Sequence, residues 1–268
     1  MEIIQQLIPV IEHAGAMLVR YRNDGFVTKT KSHENDFVTT ADIETDKFLR
    51  TEIGRLFPDD KILSEEDDTV VEEYIGRVWM IDPLDGTRAF VDGSDSFSVM
   101  IGLAVDGVPE LGIMYAPLRD ELYYAEKGKG AFLRKAGLDT RIHVSNISDI
   151  TNARAVDYRR LKEPRELDVA VDQLGLSFIA TEGTNTLKIG KVAQGIADVV
   201  VNTNTDVSKW DFCAPQIVLE EAGGKVTDIK GNPIDYLSSG TALNKSFVAT
   251  NGILHEAIIN ALQKQIKG

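Results

Sequence analysis

The sequence predicts an α/β protein whose part beyond about Leu138 is an α/β half. Three observations carry this. Apolar residues at helical spacing open the chain, apolar strands with a strong hairpin signal fill its middle, and short strands alternate with helices thereafter. Ile3, Ile4, Leu7, Ile11, Met17, Leu18 and Tyr21 place an amphipathic helix over residues 2–21. A second begins near Thr40, capped by Thr39 or Thr40, with Asp42 and Glu44 at its positive end. Phe48, Leu49, Ile53, Leu56 and Phe57 mark its later buried face. Val78-Trp79-Met80-Ile81 reads as a buried strand, and the strand over 98–105 ends at the hairpin pair Asp106-Gly107. Strands over 111–115 and 121–125 follow, with a turn at Ala116-Pro117, and Gly128-Lys129-Gly130 is read as the end of the sheet. Helices are expected over 188–195, 211–221 and 255–265, and a strand over 197–201. The halves are expected to be residues 1–137, with most of the acidic candidates below, and 138–268, with Asp211 and the specificity segments. They are expected to share a core, with the site at their seam.

A formal net charge of -13 over 268 residues argues against nucleic acid or an anionic membrane as partner. It leaves room for a small anionic substrate when divalent cations mediate. Cys213 stands alone, which rules out an intramolecular disulfide and fits a reducing compartment; a small buried apolar role is expected for it. No apolar window is long enough to span a bilayer, and Glu2, Gln5, Gln6 and Glu12 interrupt any signal-peptide pattern. The expectation is a cytoplasmic protein.

The most informative segment is Asp82-Pro83-Leu84-Asp85-Gly86-Thr87, which leaves the apolar strand. Pro83 lacks an N–H and biases Asp82 toward extended geometry, so the chain turns at Leu84 and Asp82 and Asp85 can converge. Gly86 allows close approach to the backbone, and the N–H groups of Gly86 and Thr87 suit an anion. Carboxylates beside an anion need cations between them. The competing reading is an ordinary acidic turn, since Asp-Pro and Asp-Gly are common turn dipeptides. A covalent aspartyl mechanism of the haloacid dehalogenase type is disfavoured, because these aspartates stand one residue further apart and far from the N-terminus. Asp42, Glu65, Glu66 and Asp211 are further candidates. Each also has a bland reading: Asp42 and Asp211 as helix-start acids, and Glu65-Glu66-Asp67-Asp68 as a solvated charge run.

Taken together, four blocks resemble the inositol-monophosphatase-like phosphatases, which are magnesium-dependent and lithium-sensitive. The superfamily includes fructose-1,6-bisphosphatases and 3'(2'),5'-bisphosphate nucleotidases. The blocks are Asp36-Phe37-Val38-Thr39-Thr40-Ala41-Asp42, Ser64-Glu65-Glu66, Asp82-Pro83-Leu84-Asp85-Gly86-Thr87, and Trp210-Asp211 continuing to Glu221-Ala222-Gly223-Gly224. The resemblance spans nearly the whole chain. It implies a layered α/β/α/β/α sandwich with an N-terminal α+β half and a C-terminal α/β half. It also implies two or three Mg2+ ions: Glu65, Asp82 and the Leu84 carbonyl on one, and Asp82, Asp85 and Asp211 on a second, with Asp82 bridging. Carboxylates about 4 Å apart repel by roughly 4 kcal/mol at an effective dielectric of 20, so metal binding is expected to stabilise the fold. In the implied mechanism Thr87 orients the nucleophilic water, Asp42 backs Thr87, and Glu65 reaches a third ion through water. Asp85, Gly86, Thr87, Thr184, Lys188 and Asp211 are the implied substrate-binding residues. Family members are often dimers, which leaves a homodimer open here.

Several stretches are closer to the bisphosphate nucleotidases than to the inositol enzymes. These are Leu63-Ser64-Glu65-Glu66-Asp67, Trp210-Asp211-Phe212-Cys213-Ala214-Pro215, Asp228-Ile229-Lys230-Gly231-Asn232-Pro233 and Thr186-Leu187-Lys188. Lys188 supplies charge for a second phosphate, or is a surface lysine at a helix start. Arg88 departs from the lysine of that branch, and residues 141–179 match nothing interpretable. The reading is adenosine 3',5'-bisphosphate hydrolysis. Inositol 1-phosphate or broad sugar-phosphate hydrolysis is the alternative, and a catalytically silent phosphometabolite binder is the alternative of another class.

Overall fold

Periodic burial builds the first layer. The computed structural model describes residues 1–30, 37–67, 74–156, 166–180, 183–203, 205, 207–243 and 245–267. Asp36 and Asp68, both in the motifs above, lie outside the described residues, as does part of the uninterpreted segment. Helix α1 (Glu2–Asp24) buries Ile4, Leu7, Ile11 and Leu18. A short hairpin, β1 (Thr28–Thr30) and β2 (Phe37–Thr39), leads into α2 (Thr40–Leu56). Thr39 is its cap: its Oγ1 accepts from Ala41 N and Asp42 N, and Asp42 accepts from Thr39 N at 2.8 Å. That is a reciprocal capping box, with aspartate in the usual glutamate place.

Strands β3 (Lys61–Ser64) and β4 (Arg77–Asp85) pair in parallel. After the short α3 (Thr87–Val91), β5 (Ser98–Val105) and β6 (Val108–Ala116) form the expected hairpin. Asp106 and Gly107 both take positive φ, 49° and 75°, as a two-residue turn of matching twist requires. Then come β7 (Glu121–Glu126), β8 (Gly130–Lys135) and β9 (Leu138–Ile142), and the sheet runs in the order β3-β4-β5-β6-β7-β8-β9. The expected end at Gly128-Lys129-Gly130 is therefore corrected. Those residues make a turn into two further strands, held by Gly128 N and Gly130 N donating to the Glu221 carboxylate at 2.7 Å. β9 is mostly exposed and polar, so it carries no apolar alternation to announce it.

The second sheet with its helices begins with β10 (Arg154–Val156), α4 (Glu166–Asp172), β11 (Ser177–Ala180), α5 (Asn185–Ala193) and β12 (Val199–Asn202). It closes with α6 (Trp210–Glu221), β13 (Lys225–Asp228), β14 (Phe247–Thr250) and α7 (His255–Lys267). Its five strands run β11-β10-β12-β14-β13.

Alternation along β4 assigns the layers. Trp79 and Ile81 pack with α1 and α2, whereas Val78 and Met80 pack with residues of α5 and α6. The second sheet contributes Val200, Phe247 and Ala249 to that same inner core, and Ala155, Val199 and Val248 to a third cluster with α4 and α7. The result is the α/β/α/β/α sandwich, with α6 buried between two sheets. Gly102 and Gly112, paired across β5 and β6, make this possible. A Cβ on either would lie 2.6–2.7 Å from Cys213 or Ala214, so only glycine lets α6 come this close.

A buried histidine supplies an acid-sensitive point. His255 Nε2 and Nδ1 lie 2.8 Å and 3.0 Å from the hydroxyls of Thr227 and Thr250. Thr227 gives its proton to the Asp228 carbonyl, so Nε2 carries the imidazole hydrogen and Nδ1 accepts. Burial, aided by Lys225, pushes the imidazole down to about 4. The folded value lies below the unfolded one, so this contribution is complete above the unfolded value and is lost as pH falls toward 4. The stability difference between wild type and His255→Gln should shrink by about 2–3 kcal/mol between about pH 7.5 and 4.5, measured by urea unfolding.

Candidate active site

A one-residue irregularity makes the site. Residues three apart on a regular strand point to opposite faces. On β4, however, Asp82 pairs with Met100 and Asp85 with Ser98, three steps against two. Pro83, which has no N–H for the ladder, sits in that bulge, and the extra residue returns Asp85 to the side of Asp82. The Leu84 N–H folds back onto Asp82 Oδ1 at 3.0 Å, which fixes the turn.

Four carboxylates act on one another here. Burial raises Asp82 well above the usual carboxylate range, and Glu65, Asp85 and Asp211 raise it further. Asp211 is raised by burial and Glu65, offset in part by an N–H from Ser208. Asp85 is raised by burial, opposed by Thr186, Lys188 and Ser98. Thr186 N and Ser98 Oγ each stand 3.3 Å from its Oδ2. Glu65 is held beside Asp82 by its own N–H, which donates to Ile81 O at 3.2 Å. Among the described residues no three such side chains close into a tight metal cage; they face one another as repelling charges.

Asp42 joins the site through Thr87. It is buried, which raises its pKa, while hydrogen bonds from Thr39 and Thr87 pull the other way. Thr87 Oγ1 lies 3.0 Å from Asp42 Oδ1 and 3.2 Å from the Leu84 carbonyl, so its single proton has two acceptors. The donor set of carboxylates and a carbonyl is all hard oxygen, and its charges oppose one another. That chemistry fits Mg2+.

Gly86 has a packing part as well. Its φ is +91°, and an added Cβ would lie 2.5 Å from Thr184 Cγ2 and 3.0 Å from Ser96 O. The missing side chain admits the capping residue of α5 as well as any ligand. Thr184 caps α5 through Leu187 N at 3.2 Å, Gly183 N donates to Ser96 Oγ at 2.6 Å, and α5 delivers Thr186 and Lys188 toward Asp85.

Other candidates lie apart. Arg88 pairs with exposed Asp92, and Asp67 with Arg50. Ser64 gives its hydroxyl to buried Asp46. It therefore faces α2, on the inner side of the turn. Asp46 and Arg50 went unrecognised although they follow Asp42 at intervals of four. Ser98 and Ser208 left no sequence signal, since each reaches the site across a strand or turn, and Thr186 stands in the Lys188 segment with nothing to mark it as a partner of Asp85.

The chain matches the sequence model of the inositol monophosphatase family over residues 1–267. It is 32% identical over 253 residues to an inositol-1-monophosphatase of Bacillus subtilis, covering 92% of this chain and 91% of that protein. It is 30% identical over 249 residues to the 3'(2'),5'-bisphosphate nucleotidase CysQ of Aggregatibacter actinomycetemcomitans, covering 92% and 91% respectively. A solved Thermotoga maritima IMPase superposes with a TM-score of 0.82 at 28% identity, covering 100% of this chain and 99% of that one. Among the described residues no helix is long and apolar enough to cross a membrane. Sequence, layers and acidic turn agree: the chain belongs to the inositol monophosphatase family of magnesium-dependent phosphatases.

Proposed function

We propose that this chain hydrolyses a small phosphomonoester at the Asp82–Thr87 turn, with adenosine 3',5'-bisphosphate as its preferred class of substrate. The observation that carries the chemistry is the junction of four mutually repelling carboxylates with the Asp42–Thr87 pair, through the Leu84 carbonyl that Thr87 also reaches. Glu65, Asp82, the Leu84 carbonyl, Asp85 and Asp211 would hold two or three Mg2+ ions. When bound, these supply positive charge to the phosphate and lower the pKa of a water. Thr87 would orient that water by accepting its hydrogen bond while donating to Asp42. Asp42, raised by burial, is suited to share the proton. The N–H groups of Gly86 and Thr87 would steady phosphate oxygens.

The nucleotide preference is supported by Lys188, whose charge acts on Asp85 at the edge of the site, and by Thr184 beside it. The identity to the Bacillus inositol-1-monophosphatase favours a second reading, inositol 1-phosphate. A panel of adenosine 3',5'-bisphosphate, inositol 1-phosphate and fructose 1,6-bisphosphate decides by kcat/KM. The nucleotide should rank first, and Lys188→Met should lower its kcat/KM by roughly 10- to 100-fold, the worth of a charged hydrogen bond. Inositol 1-phosphate should change little. A higher kcat/KM for the inositol ester would reverse the preference. Absence of magnesium-dependent phosphate release from any ester would favour a silent binder.

A further inference from the structure

Glu65 faces a mechanical difficulty that the rest of the site does not. It projects from a turn after β3, and Asp82 and Asp211 both repel it. A long side chain on a turn gains rotamer entropy by swinging outward, away from that repulsion. Its two neighbourhoods are, however, tied to one helix. Asp42, Asp46 and Arg50 recur every four residues on α2 and share a face. Asp42 Oδ1 accepts from Thr87 at 3.0 Å. Asp46, 1% exposed, has both oxygens engaged: Oδ1 by the Ser64 hydroxyl and Oδ2 by Arg50 Nε at 2.7 Å. Arg50 Nη1 reaches on to Asp67 Oδ2 at 3.1 Å. Asp67 N closes the turn onto Ser64 O at 3.4 Å. Glu65 thus sits between two residues clamped to α2, one through Asp46 and the other through Arg50.

We propose that the Asp42–Asp46–Arg50 face of α2 is a positioning spine: Arg50, through Asp46, Ser64 and Asp67, holds Glu65 toward the cations and so governs metal affinity without touching metal or substrate. This rests on the metal-dependent reading above. The helix is a rigid spacer, about 6 Å for each four-residue step, so one element sets both Thr87 and Glu65. An exposed ion pair contributes little, but Asp46 is out of water and its pairing with Arg50 is correspondingly directional. Ser64 then acts on the geometry of Glu65.

The test uses thermal unfolding of the full chain against MgCl2, without substrate. Asp67→Asn cuts the outer link and strands no buried charge; Arg50→Lys keeps the charge on Asp46 but loses the fork that spans to Asp67. Wild type should gain stability with Mg2+. Each variant should match it without metal yet need roughly tenfold more Mg2+ for half the gain. Calorimetric Mg2+ titration should give the same ratio. Variants that match the wild-type Mg2+ requirement overturn the spine, whatever their metal-free midpoint. A wild type that gains nothing from Mg2+ removes the cation reading itself, and that outcome is read before any variant is made.

Discussion

Asp82→Asn should raise the thermal midpoint of the metal-free protein while lowering turnover by about a thousandfold or more, equivalent to roughly 4 kcal/mol of barrier. The two effects have one cause. Asp82 is buried and faces Glu65, Asp85 and Asp211, so its charge is unfavourable until cations arrive. Asparagine keeps an oxygen for the Leu84 N–H, which preserves the turn. It removes the repulsion, and each kcal/mol relieved should raise the midpoint by roughly 2–4 °C. It also removes the ligand proposed to bridge two ions, so the gain in stability on adding Mg2+ should largely vanish. Differential scanning calorimetry with and without Mg2+, beside phosphate release, measures both. Activity near wild type would refute the assignment of this turn. Asp85→Asn should lose most activity in the same way with the fold intact.

Thr87→Ala should lower kcat by roughly 100- to 1,000-fold, in the range of lost acid–base and water-orienting groups, with Mg2+ affinity close to wild type. The hydroxyl's single proton lies between Asp42 and the Leu84 carbonyl, and Asp42 is itself held by the Thr39 cap. Removing it leaves the carboxylate cluster untouched. Thr87→Ser should retain most activity, because the hydroxyl and not the methyl group makes the contact. Equal loss of Mg2+ affinity and kcat in Thr87→Ala would place the threonine in the metal site instead. Near-wild-type turnover would remove it from the mechanism.

How much of this was legible depended on whether the signal was local. Thr39, Thr40 and Asp42 announce a helix start, and the start is where they put it. Asp106-Gly107 announces a hairpin because two successive positive φ angles need those residue types. The strand 138–142 was illegible, since its residues are largely exposed and polar and only pairing with β8 makes it a strand. The contacts of Ser98 and Thr186 with Asp85 were illegible for the same reason: they span 13 and 101 residues. Gly86 was legible as special but for an incomplete reason, because Thr184 lies 98 residues away in sequence and fills the space its side chain would take.

The sequence alone determined the chemical vocabulary, namely paired carboxylates around a proline-broken turn, a threonine after glycine, and an acid at the start of a late helix. Those are local properties, carried by residue type and spacing. Only the tertiary structure decided their arrangement. The bulge turned Asp85 to the side of Asp82, paired glycines admitted α6 with Asp211, and α2 tied Glu65 to Thr87 through Asp46 and Arg50. The physical reason is that like charges do not assemble themselves. They are held together by backbone geometry and close packing contributed by segments far apart in the chain.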